Sequence, residues 1–376
     1  MSRSACRFAA DGVPSSVVAV ESESQSATED FSPVELALAA RNHGLPLETL
    51  RYDLTPVGLH YLLIHFDIPH VDAASWRLEI GGEVQRPLSL SLDELRERPK
   101  VSLACTLECA GNGRARLTPR PLSQPWLEEA IGNAEWTGTP LAPLLEEAGI
   151  DDGAVEVLFT GLDRGIQGEA EHAYERSLPV EEARRPEILL AYEVNGQPLP
   201  PQHGFPLRLI VPGWYGMTHV KWLERITAIS EPFEGYQQVM QYRTKQSADE
   251  RGEPVTRMLP RSLLIPPGIP DFPDRRRFLE PGPCLLEGRA WSGWGPVTRV
   301  EVSVDGGQSW QDAALDEPVG EFGWRRWAFE WDAEPGEHKL CSRATDDAGN
   351  VQPSEAEWNY GGYVNNSVQR VAVTVR

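Results

Sequence analysis

The chain has 376 residues and a mass of 41.8 kDa, which corresponds to two or three domains at roughly 100–200 residues per domain. Its hydrophobic fraction of 40% is enough for sizeable cores and excludes a mainly disordered protein. The 33 glycines and 32 prolines exclude a helical bundle and favour a β-rich protein with many loops. A formal net charge of −21 disfavours binding to nucleic acid or to an anionic membrane, because both require cations at the contact. It favours a small substrate or a basic protein partner.

The five cysteines do not suggest a disulfide framework or a zinc site, because their number is odd and only Cys105 and Cys109 lie close together. No run approaches the roughly 18 apolar residues of a membrane helix. The first residues lack both a cationic start with an apolar run and a twin-arginine pair. We therefore expect a cytoplasmic protein without membrane contact, or a periplasmic one if an export signal has been removed.

The first 253 residues divide into a tail and one domain. Residues 1–30 are rich in Ser and acidic residues, which predicts a mobile tail. Residues 31–253 mix helical and strand patterns without a regular βαβ order, which predicts an α+β domain. Within it, Thr139-Pro140 and Gly149 flank a predicted helix, and Asn195-Gly196 indicates a hairpin.

The remaining residues predict a linker followed by a β-sandwich. Prolines crowd into residues 254–279, which predicts a stiff linker because proline removes backbone donors. Residues 280–376 contain short strand patterns separated by turns, typical of an immunoglobulin-like sandwich. This domain carries many tryptophans that either form its core or supply an apolar dimer face, namely Trp291, Trp294, Trp310, Trp324, Trp327 and Trp331.

The segment SLACTLECAGNGRAR (102–116) carries the most informative candidate chemistry. A β-prone run ends at Glu108, and Cys109 is followed by small residues, so its thiol is sterically open. Arg114 and the backbone N–H groups of the loop would favour the thiolate, which is a soft ligand for a heavy transition metal. On this feature alone a buried structural cysteine is the more frequent situation. Gly111-Asn112-Gly113 lacks the third glycine and the βαβ unit of a dinucleotide-binding fingerprint, so we discard that interpretation.

Several further motifs follow in a fixed order. They are Arg41-Asn42-His43, Cys109-Ala110-Gly111-Asn112-Gly113-Arg114, Gly161-Leu162-Asp163, LLAYEVNGQPLPPQHGFPLRLIVPG (189–213), His219-Val220-Lys221-Trp222, and, in the last domain, WSGWGPVTRVEVSVDGGQSW and ATDDAGNVQP. Together these motifs resemble the sulfite oxidase family of molybdopterin enzymes over about residues 35–376. The resemblance implies a sulfite oxidase-like α+β molybdopterin-binding domain, followed by an immunoglobulin-like dimerisation domain and hence a homodimer.

The resemblance also implies a molybdenum ion on a molybdopterin dithiolene, with Cys109 as the metal ligand and Cys105 in the core. The family's contacts to the cofactor match a set of polar residues and one valine, namely Asn42, His43, Asp163, His203, Arg208, His219, Val220 and Lys221. A buried pterin phosphate needs cations and matched donors, because an unpaired buried charge is costly. The positions of Arg208 and Lys221 within apolar runs favour such a role over a solvated surface charge.

The substrate implied by the resemblance is a small oxyanion, oxidised from sulfite to sulfate by oxygen-atom transfer. Arg41 and Arg114 match pocket arginines, whose planar fork fits oxyanion geometry, and Tyr242 matches a pocket tyrosine within about one residue. Arg325 matches a further arginine, with Arg326 as the competing choice and a surface role equally frequent. The sequence predicts no haem or flavin module, so electrons pass to an external acceptor such as cytochrome c.

Two departures from the family pattern leave alternatives open. Gly113 and Thr218 stand where arginines are common in relatives, so fewer cations near the metal would weaken sulfite binding or shift the substrate preference. There are three alternatives. The protein is a sulfane-sulfur dehydrogenase, it catalyses another oxyanion reaction on the same cofactor, or it is a non-catalytic degenerate relative. His60, His65 and His70 are spaced by five, which suits neither a helix face nor a strand face, so we expect core or surface roles rather than metal binding.

Overall fold

A computed structural model describes residues 31–376 as a mostly β chain with short helices. The predicted tail, residues 1–30, lies outside the described residues. The α-helices are α1 (Pro33–Arg41), α2 (Leu92–Arg96), α3 (Leu141–Ala148), α4 (Val180–Ala183) and α5 (Tyr236–Val239). Over residues 31–376, none of the helices has the length and apolar character that a membrane crossing requires.

A mixed sheet of five strands forms one layer of the first domain. In spatial order its strands are β2 (Leu88–Leu90), β1 (Leu78–Gly82), β10 (Leu223–Ile229), β5 (Glu156–Gln167) and β6 (Ala170–Pro179). Strands β1 and β10 are parallel, and the other neighbours are antiparallel. Alternation along β1 buries Leu78 and Ile80 in the same core as Val157 and Phe159 of β5.

A second sheet of five antiparallel strands leads to the Cys109 loop. Its strands are β3 (Val101–Glu108), β4 (Ile131–Pro140), β7 (Leu189–Val194) and β8 (Gln197–Pro198), with β9 (Arg208–Ile210) also paired to β7. Strand β3 ends at Glu108, as its sequence predicts, so Cys109 begins the connection to β4. The predicted hairpin joins β7 to β8 at Asn195 and Gly196, whose φ angles of 48° and 72° suit a tight hairpin turn.

The predicted helix after residue 139 is confirmed as α3, with a different first residue. Leu141, Leu144 and Ala148 are buried on one face, and Gly149 ends the helix with a φ of 69°. Thr139 is not its N-cap, because the Thr139 hydroxyl donates to the Leu95 carbonyl at 2.8 Å.

The second domain is a sandwich of two sheets, which confirms the predicted all-β domain. One sheet contains β13 (Arg261–Leu264), β16 (Gly282–Trp291), β20 (Arg325–Ala333) and β19 (Ala314–Pro318). The other contains β14 (Ile269–Pro270), β15 (Arg277–Leu279), β22 (Val371–Val375), β21 (Gly336–Asp346), β17 (Val297–Ser303) and β18 (Gln311–Asp312). A ribbon of β11 (Arg243–Thr244) and β12 (Glu253–Pro254) precedes the sandwich. Trp327 and Trp331 are buried in the core of the sandwich, Trp291 and Trp324 are buried where the sandwich meets the first domain, and Trp294 is 51% exposed.

The structure corrects the predicted linker at residues 254–279. Strands β13, β14 and β15 lie inside this range, β13 pairs with β16, and β15 pairs with β22. The sandwich therefore begins at Arg261 rather than at residue 280. The prolines did not prevent pairing because β13 falls in a stretch without proline and Pro270 lies in the edge strand β14.

An apolar cluster packs the two domains together beside the Cys109 loop. It combines Leu45, Ala110, Tyr215 and Tyr242 of the first domain with residues of the sandwich, and its sandwich members include Leu263, Trp291, Trp324 and Tyr363. Since Ala110 follows Cys109 directly, the candidate metal ligand lies at the contact between the domains.

Candidate active site

Cys109 is buried, with 7% of its surface exposed, in a tight turn that follows β3. Its N–H donates to the Ala130 carbonyl at 2.9 Å, and the Asn112 N–H donates to the Cys109 carbonyl at 2.9 Å. Gly113 takes a φ of 87°, a left-handed conformation that favours glycine. The turn therefore holds the thiol at a fixed place at the end of β3, an edge strand of the second sheet.

Burial raises the pKa of the Cys109 thiol above its ordinary value, and Arg114, the Gly111 backbone and Trp126 act in the opposite direction. Arg114 and the loop thus favour the thiolate, as the sequence predicts, but in the protein alone the effect of burial on the pKa is larger. Cys105 lies in the core as predicted, and burial raises its pKa to about 12.

An inner cavity lies beside the Cys109 side chain. Its polar lining consists mainly of predicted cofactor contacts, namely Cys109, Asp163, His203, Arg208, His219 and Lys221, together with Tyr61, His65, Tyr174 and Tyr242. Asp163 Oδ1 and Arg208 Nε are buried and find no hydrogen-bond partner among the described residues. Lys221 Nζ donates to the Leu63 carbonyl at 2.8 Å. Unpaired buried polar atoms are costly, and a pterin with a phosphate and polar ring edges supplies the partners they lack, so these residues fit that group.

The inner cavity shifts the titration of its charged side chains towards their neutral forms. Burial raises the pKa of Asp163 and lowers that of Lys221, and the attraction between the two opposes both shifts. Burial, with His60 and Arg208 nearby, lowers the pKa of His203 to about 2. An anionic or hydrogen-bonding ligand would therefore stabilise these buried side chains by supplying the charges and hydrogen bonds that burial removes.

His219 and Val220 are held differently from the other predicted contacts. His219 accepts from the Val211 N–H at 3.1 Å through Nδ1, and its Nε2 lies 3.1 Å from the Trp214 carbonyl. Both ring nitrogens are therefore used inside the protein, although the ring lines the cavity. The Val220 side chain is fully buried in the core of the first sheet, between the two lining residues His219 and Lys221, and its contact with the cofactor stays a prediction.

An outer cavity of 340 Å³ meets the inner one at Cys109, His65 and Tyr242. Its polar lining contains the predicted substrate residues with several others, namely Arg41, His65, Cys109, Arg114, Gln124, Trp126, Gln237, Gln241, Tyr242 and Tyr363. The structure thus brings Arg41, Arg114 and Tyr242 to the candidate metal ligand, as the sequence predicts.

Arg114 is fixed by the sandwich domain. Its Nε donates to the Gly361 carbonyl at 3.0 Å, its Nη1 donates to the Gln124 carbonyl at 3.1 Å, and its guanidinium lies 5.0 Å from the Tyr363 ring centroid. A side chain on Gly111 would approach Arg114 to 2.6 Å, so the glycine gives this arginine its space.

Arg41 reaches the outer cavity from the last turn of α1. The helix is anchored by a buried ion pair, in which Arg120 Nε donates to Glu35 Oε1 at 3.0 Å. Asn42, predicted as a cofactor contact, instead donates to Gln124 Oε1 at 2.9 Å and accepts from the Ile64 N–H at 2.8 Å. Its side chain therefore ties α1 to the wall of the cavity.

Tyr242 is buried, with a φ of 52° that is unusual for a bulky side chain. His65 Nε2 lies 2.5 Å from its hydroxyl, and the Arg176 guanidinium lies 5.6 Å from its ring centroid. Burial raises the pKa of Tyr242 well above its ordinary value, so the phenol keeps its proton.

Two further predicted residues are not brought into either cavity. His43 is exposed, and its backbone pairs with Leu62. Arg325 Nη1 donates to the Val297 carbonyl at 3.0 Å, and its side chain lines a different cavity beside Trp294. The placement of Arg325 at the substrate is corrected accordingly, whereas the cofactor contact of His43 stays a prediction. Arg326, the competing choice, pairs with Glu287 at the sandwich surface.

Sequence reasoning missed His65, Trp126, Gln124 and Tyr363, all of which line the outer cavity. His65 lies in an irregular segment, where residue spacing carries no information about faces. Trp126 follows Cys109 by 17 positions, and its place on the connection to β4 was the one available signal. Tyr363 belongs to the sandwich, and no feature of the sequence connects it with the Cys109 loop.

The two departures from the family pattern do not open onto the outer cavity. A side chain at Gly113 would meet Asn365, whose Nδ2 already donates to the Gly113 carbonyl at 2.8 Å. Thr218 is fully buried, and its hydroxyl has no partner in the described part of the chain. Neither position lines the cavity that contains Arg41 and Arg114.

Comparison with known proteins matches both domains. A family described as oxidoreductase molybdopterin binding domain matches residues 65–237, and one described as Mo-co oxidoreductase dimerisation domain matches residues 275–376. Mitochondrial sulfite oxidase of Mus musculus is 37% identical over 347 residues, covering 86% of this chain and 62% of that protein. Sulfite oxidase of Gallus gallus is 35% identical over 342 residues, covering 84% of this chain and 72% of that protein.

Among solved structures, the sulfane dehydrogenase SoxCD from Paracoccus pantotrophus is similar with a TM-score of 0.78 and 28% identity, covering 99% of this chain and 96% of that one. The chain thus spans less than two thirds of the mouse protein but nearly all of the SoxCD chain. Both domains, the Cys109 loop and the polar inner cavity lead to one conclusion: the chain belongs to the sulfite oxidase family of molybdopterin oxidoreductases.

Proposed function

We propose that the protein oxidises sulfite to sulfate with a molybdenum cofactor bound at Cys109. The observation that carries the proposal is the outer cavity, which Arg41, Arg114 and Tyr242 line together with Cys109. Two guanidinium groups beside a buried thiol suit a small dianion, because arginine matches oxyanion geometry in two parallel hydrogen bonds. The oxidation of sulfite and water to sulfate releases two protons and two electrons.

The bound molybdopterin supplies two-electron oxygen-atom transfer, which no side chain can perform. The inner cavity would hold it through Asp163, His203, Arg208 and Lys221, whose buried polar atoms face that space. Cys109 would bind the metal. The bound cofactor would give hydrogen-bond partners to Asp163 Oδ1 and Arg208 Nε, which lack them in the described part of the chain, and this supports the arrangement.

The chain's own residues bind and orient the substrate. In the described structure Arg114 uses Nε and Nη1 for carbonyls, so Nη2 stays available to an anion. Arg41 extends from the end of α1 and adds the second cation. Tyr242 keeps its phenolic proton, and its hydroxyl is held by His65, so it can donate a hydrogen bond to a substrate oxygen.

A second candidate is the oxidation of sulfane sulfur. The similarity to SoxCD supports it, because that similarity covers 99% of this chain, whereas the match to mouse sulfite oxidase covers 86%. The outer cavity supports an oxyanion-binding molybdenum enzyme, and the higher identity to mouse sulfite oxidase, 37% against 28% for SoxCD, favours sulfite over sulfane sulfur. A non-catalytic role is disfavoured by the convergence of Cys109, Arg41 and Arg114 on one cavity.

We further propose a homodimer and an external electron acceptor. The match of residues 275–376 to a dimerisation domain supports the homodimer. The net charge of −21 favours a basic acceptor, such as a cytochrome c, because opposite charges steer association. A cytoplasmic location stays a prediction from the sequence.

The test uses protein made in a host that synthesises molybdopterin. The molybdenum-to-protein ratio is measured by mass spectrometry. Oxidation of sulfite and of thiosulfate is measured with one fixed electron acceptor, and reduction of nitrate is measured with a reduced electron donor. A ratio near one with fastest turnover of sulfite is the expected result. A loaded protein that turns over thiosulfate but not sulfite would replace the first candidate with the second. A folded protein without molybdenum would support the non-catalytic alternative.

A further inference from the structure

We infer that the sandwich domain positions the metal ligand: a clamp of sandwich residues holds the Cys109 loop, and the buried ion pair between Glu108 and Arg261 is its centre. We call this set the clamp, and its members are Arg261, Trp291, Gly361, Val364 and Asn365. The inference rests on the molybdenum-binding role of Cys109 and not on the identity of the substrate.

The ion pair lies directly beside the metal ligand in sequence and is almost completely buried. Glu108 and Arg261 are 1% and 2% exposed, and Arg261 Nη1 donates to Glu108 Oε1 at 2.8 Å. Trp291 Nε1 donates to Glu108 Oε2 at 2.9 Å, and Asn112 Nδ2 donates to Glu108 Oε1 at 2.9 Å. Both carboxylate oxygens are therefore paired, two of their three partners from the sandwich and one from the Cys109 loop.

Two further contacts reach the loop itself, and a third joins them to the ion pair. The Val364 N–H donates to the Ala110 carbonyl at 2.7 Å, and Asn365 Nδ2 donates to the Gly113 carbonyl at 2.8 Å. Arg261 Nη1 also donates to the Asn365 carbonyl at 2.8 Å, which links the ion pair to the same segment. The loop is thus held on both sides of Cys109 by residues about 150 to 250 positions away.

Val364 supports a positional role, because its φ is 55°. A β-branched residue rarely adopts the left-handed region, and such strain persists where the surrounding structure fixes it. The strained residue is the one whose N–H reaches the carbonyl of Ala110, next to Cys109. An unfavourable backbone conformation at Val364 therefore accompanies the hydrogen bond to Ala110.

The physical consequence concerns the orientation of the sulfur ligand. A ligand sulfur must be held within roughly 0.5 Å of its productive position, and the groups that hydrogen-bond its neighbours set that position. A buried network in which both oxygens of the carboxylate are paired is stiff, because it holds its members in one arrangement. Arg261 and Glu108 are positioning residues in this sense: their effect reaches the metal through the loop.

The test replaces the ion pair with neutral amides of similar shape. Glu108→Gln with Arg261→Gln removes both charges together, so no lone charge stays buried. The matched control is Asp53→Asn with Arg289→Gln. In that pair, a buried sandwich arginine donates to a carboxylate of the first domain at 2.9 Å without touching the Cys109 loop. Molybdenum content, the electron paramagnetic resonance spectrum of the half-reduced metal in a redox titration, and kcat and KM are measured for both.

We expect the Glu108/Arg261 variant to fold, with an altered resonance spectrum and kcat lowered about 10- to 100-fold at nearly unchanged KM. Loss of molybdenum from the folded variant would support the inference equally. A spectrum and a kcat identical to those of the Asp53/Arg289 control would overturn it. Should the double variant not fold, Asn365→Ala is measured instead, because it removes the contact with Gly113 and leaves the ion pair intact. An altered resonance spectrum supports the inference, and a spectrum and kcat equal to those of the control overturn it. Because the spectrum is recorded without substrate, absence of sulfite turnover in the wild type would not affect this result.

Discussion

His65 Nε2 lies 2.5 Å from the hydroxyl of Tyr242, and both side chains line the inner and the outer cavity. Burial, with Lys221 and Arg41 nearby, lowers the pKa of His65 to about 3, so the ring is neutral at physiological pH. A neutral imidazole can donate to the phenol oxygen through Nε2, which leaves the phenolic proton for another acceptor. This pair therefore fixes where the Tyr242 hydroxyl points.

Replacing Tyr242 by Phe is expected to lower kcat/KM for sulfite about 10- to 100-fold, because the substrate loses one positioned donor. His65→Gln should give a smaller loss, since an amide can still donate to the phenol. Steady-state kinetics of the molybdenum-loaded variants measure both effects. The matched control is Tyr52→Phe at an exposed position. Equal kinetics for Tyr242→Phe and Tyr52→Phe would remove Tyr242 from the substrate pocket.

Replacing Arg41 by Met is expected mainly to raise KM for sulfite, because the side chain supplies charge to the outer cavity. The effect should decrease with added salt, since Arg41 is exposed. Arg77→Met, at an exposed position that lines none of the site, is the control. An unchanged KM at low ionic strength would contradict the assignment.

Cys109→Ser is expected to abolish turnover while the fold persists, because a hydroxyl is a poor replacement for a soft thiolate ligand. Molybdenum content, circular dichroism and activity are measured on the same preparation. Cys105→Ala serves as the control, since Cys105 lies in the core four residues earlier. If Cys109→Ser retained wild-type turnover, Cys109 would not be the ligand.

Stability of the cofactor-free protein should fall in mild acid because four histidines are buried in neutral form. Burial lowers the pKa of His60 to about 4, of His65 and His219 to about 3, and of His203 to about 2. Below pH about 6.5 the unfolded chain binds protons that the folded chain does not, so the free energy of unfolding decreases as pH falls. Each histidine contributes a slope of about 1.4 kcal/mol per pH unit, and protonation of folded Asp163 offsets part of it.

Urea unfolding at about pH 7.5, 6.5, 5.5 and 4.5 would measure this slope, because these values span the ordinary pKa of histidine. His60→Gln has no proton to gain, and His60 does not line either cavity. The variant should therefore lose about 1.4 kcal/mol per pH unit of the slope below pH about 5.5. A slope equal to that of the wild type would show that His60 is not buried in neutral form.

The predicted site was most accurate where contiguous motifs supplied it. Cys109 and Arg114 lie in one turn. Asp163 lies within β5, Arg208 begins β9 and Lys221 shortly precedes β10, and all three line the inner cavity of the same domain. Arg325 was misplaced because its direction depends on how the two sheets of the sandwich pack. Such a direction is a tertiary property that strand patterns do not contain.

The fold was predicted well in its strands and less well in its boundaries. Proline content suggested a linker, but β13 and β15 pair with distant strands whose contribution no local pattern reveals. His65 was set aside on its spacing from His60, although an irregular segment has no regular face. Tyr363 and Gly361 reach Arg114 across more than 240 residues of sequence, a distance that no local signal spans.

The contacts of residues 361–365 with the Cys109 loop impose an order on the biosynthesis of the enzyme. A ribosome completes Cys109 about 250 residues before it reaches Asn365, and the outer cavity lacks Tyr363 throughout that interval. Strand β22, which follows residue 365 and pairs with both β15 and β21, must also be made before the sandwich closes. The surroundings of Cys109 are therefore complete only after almost the whole chain has been synthesised and the sandwich has folded.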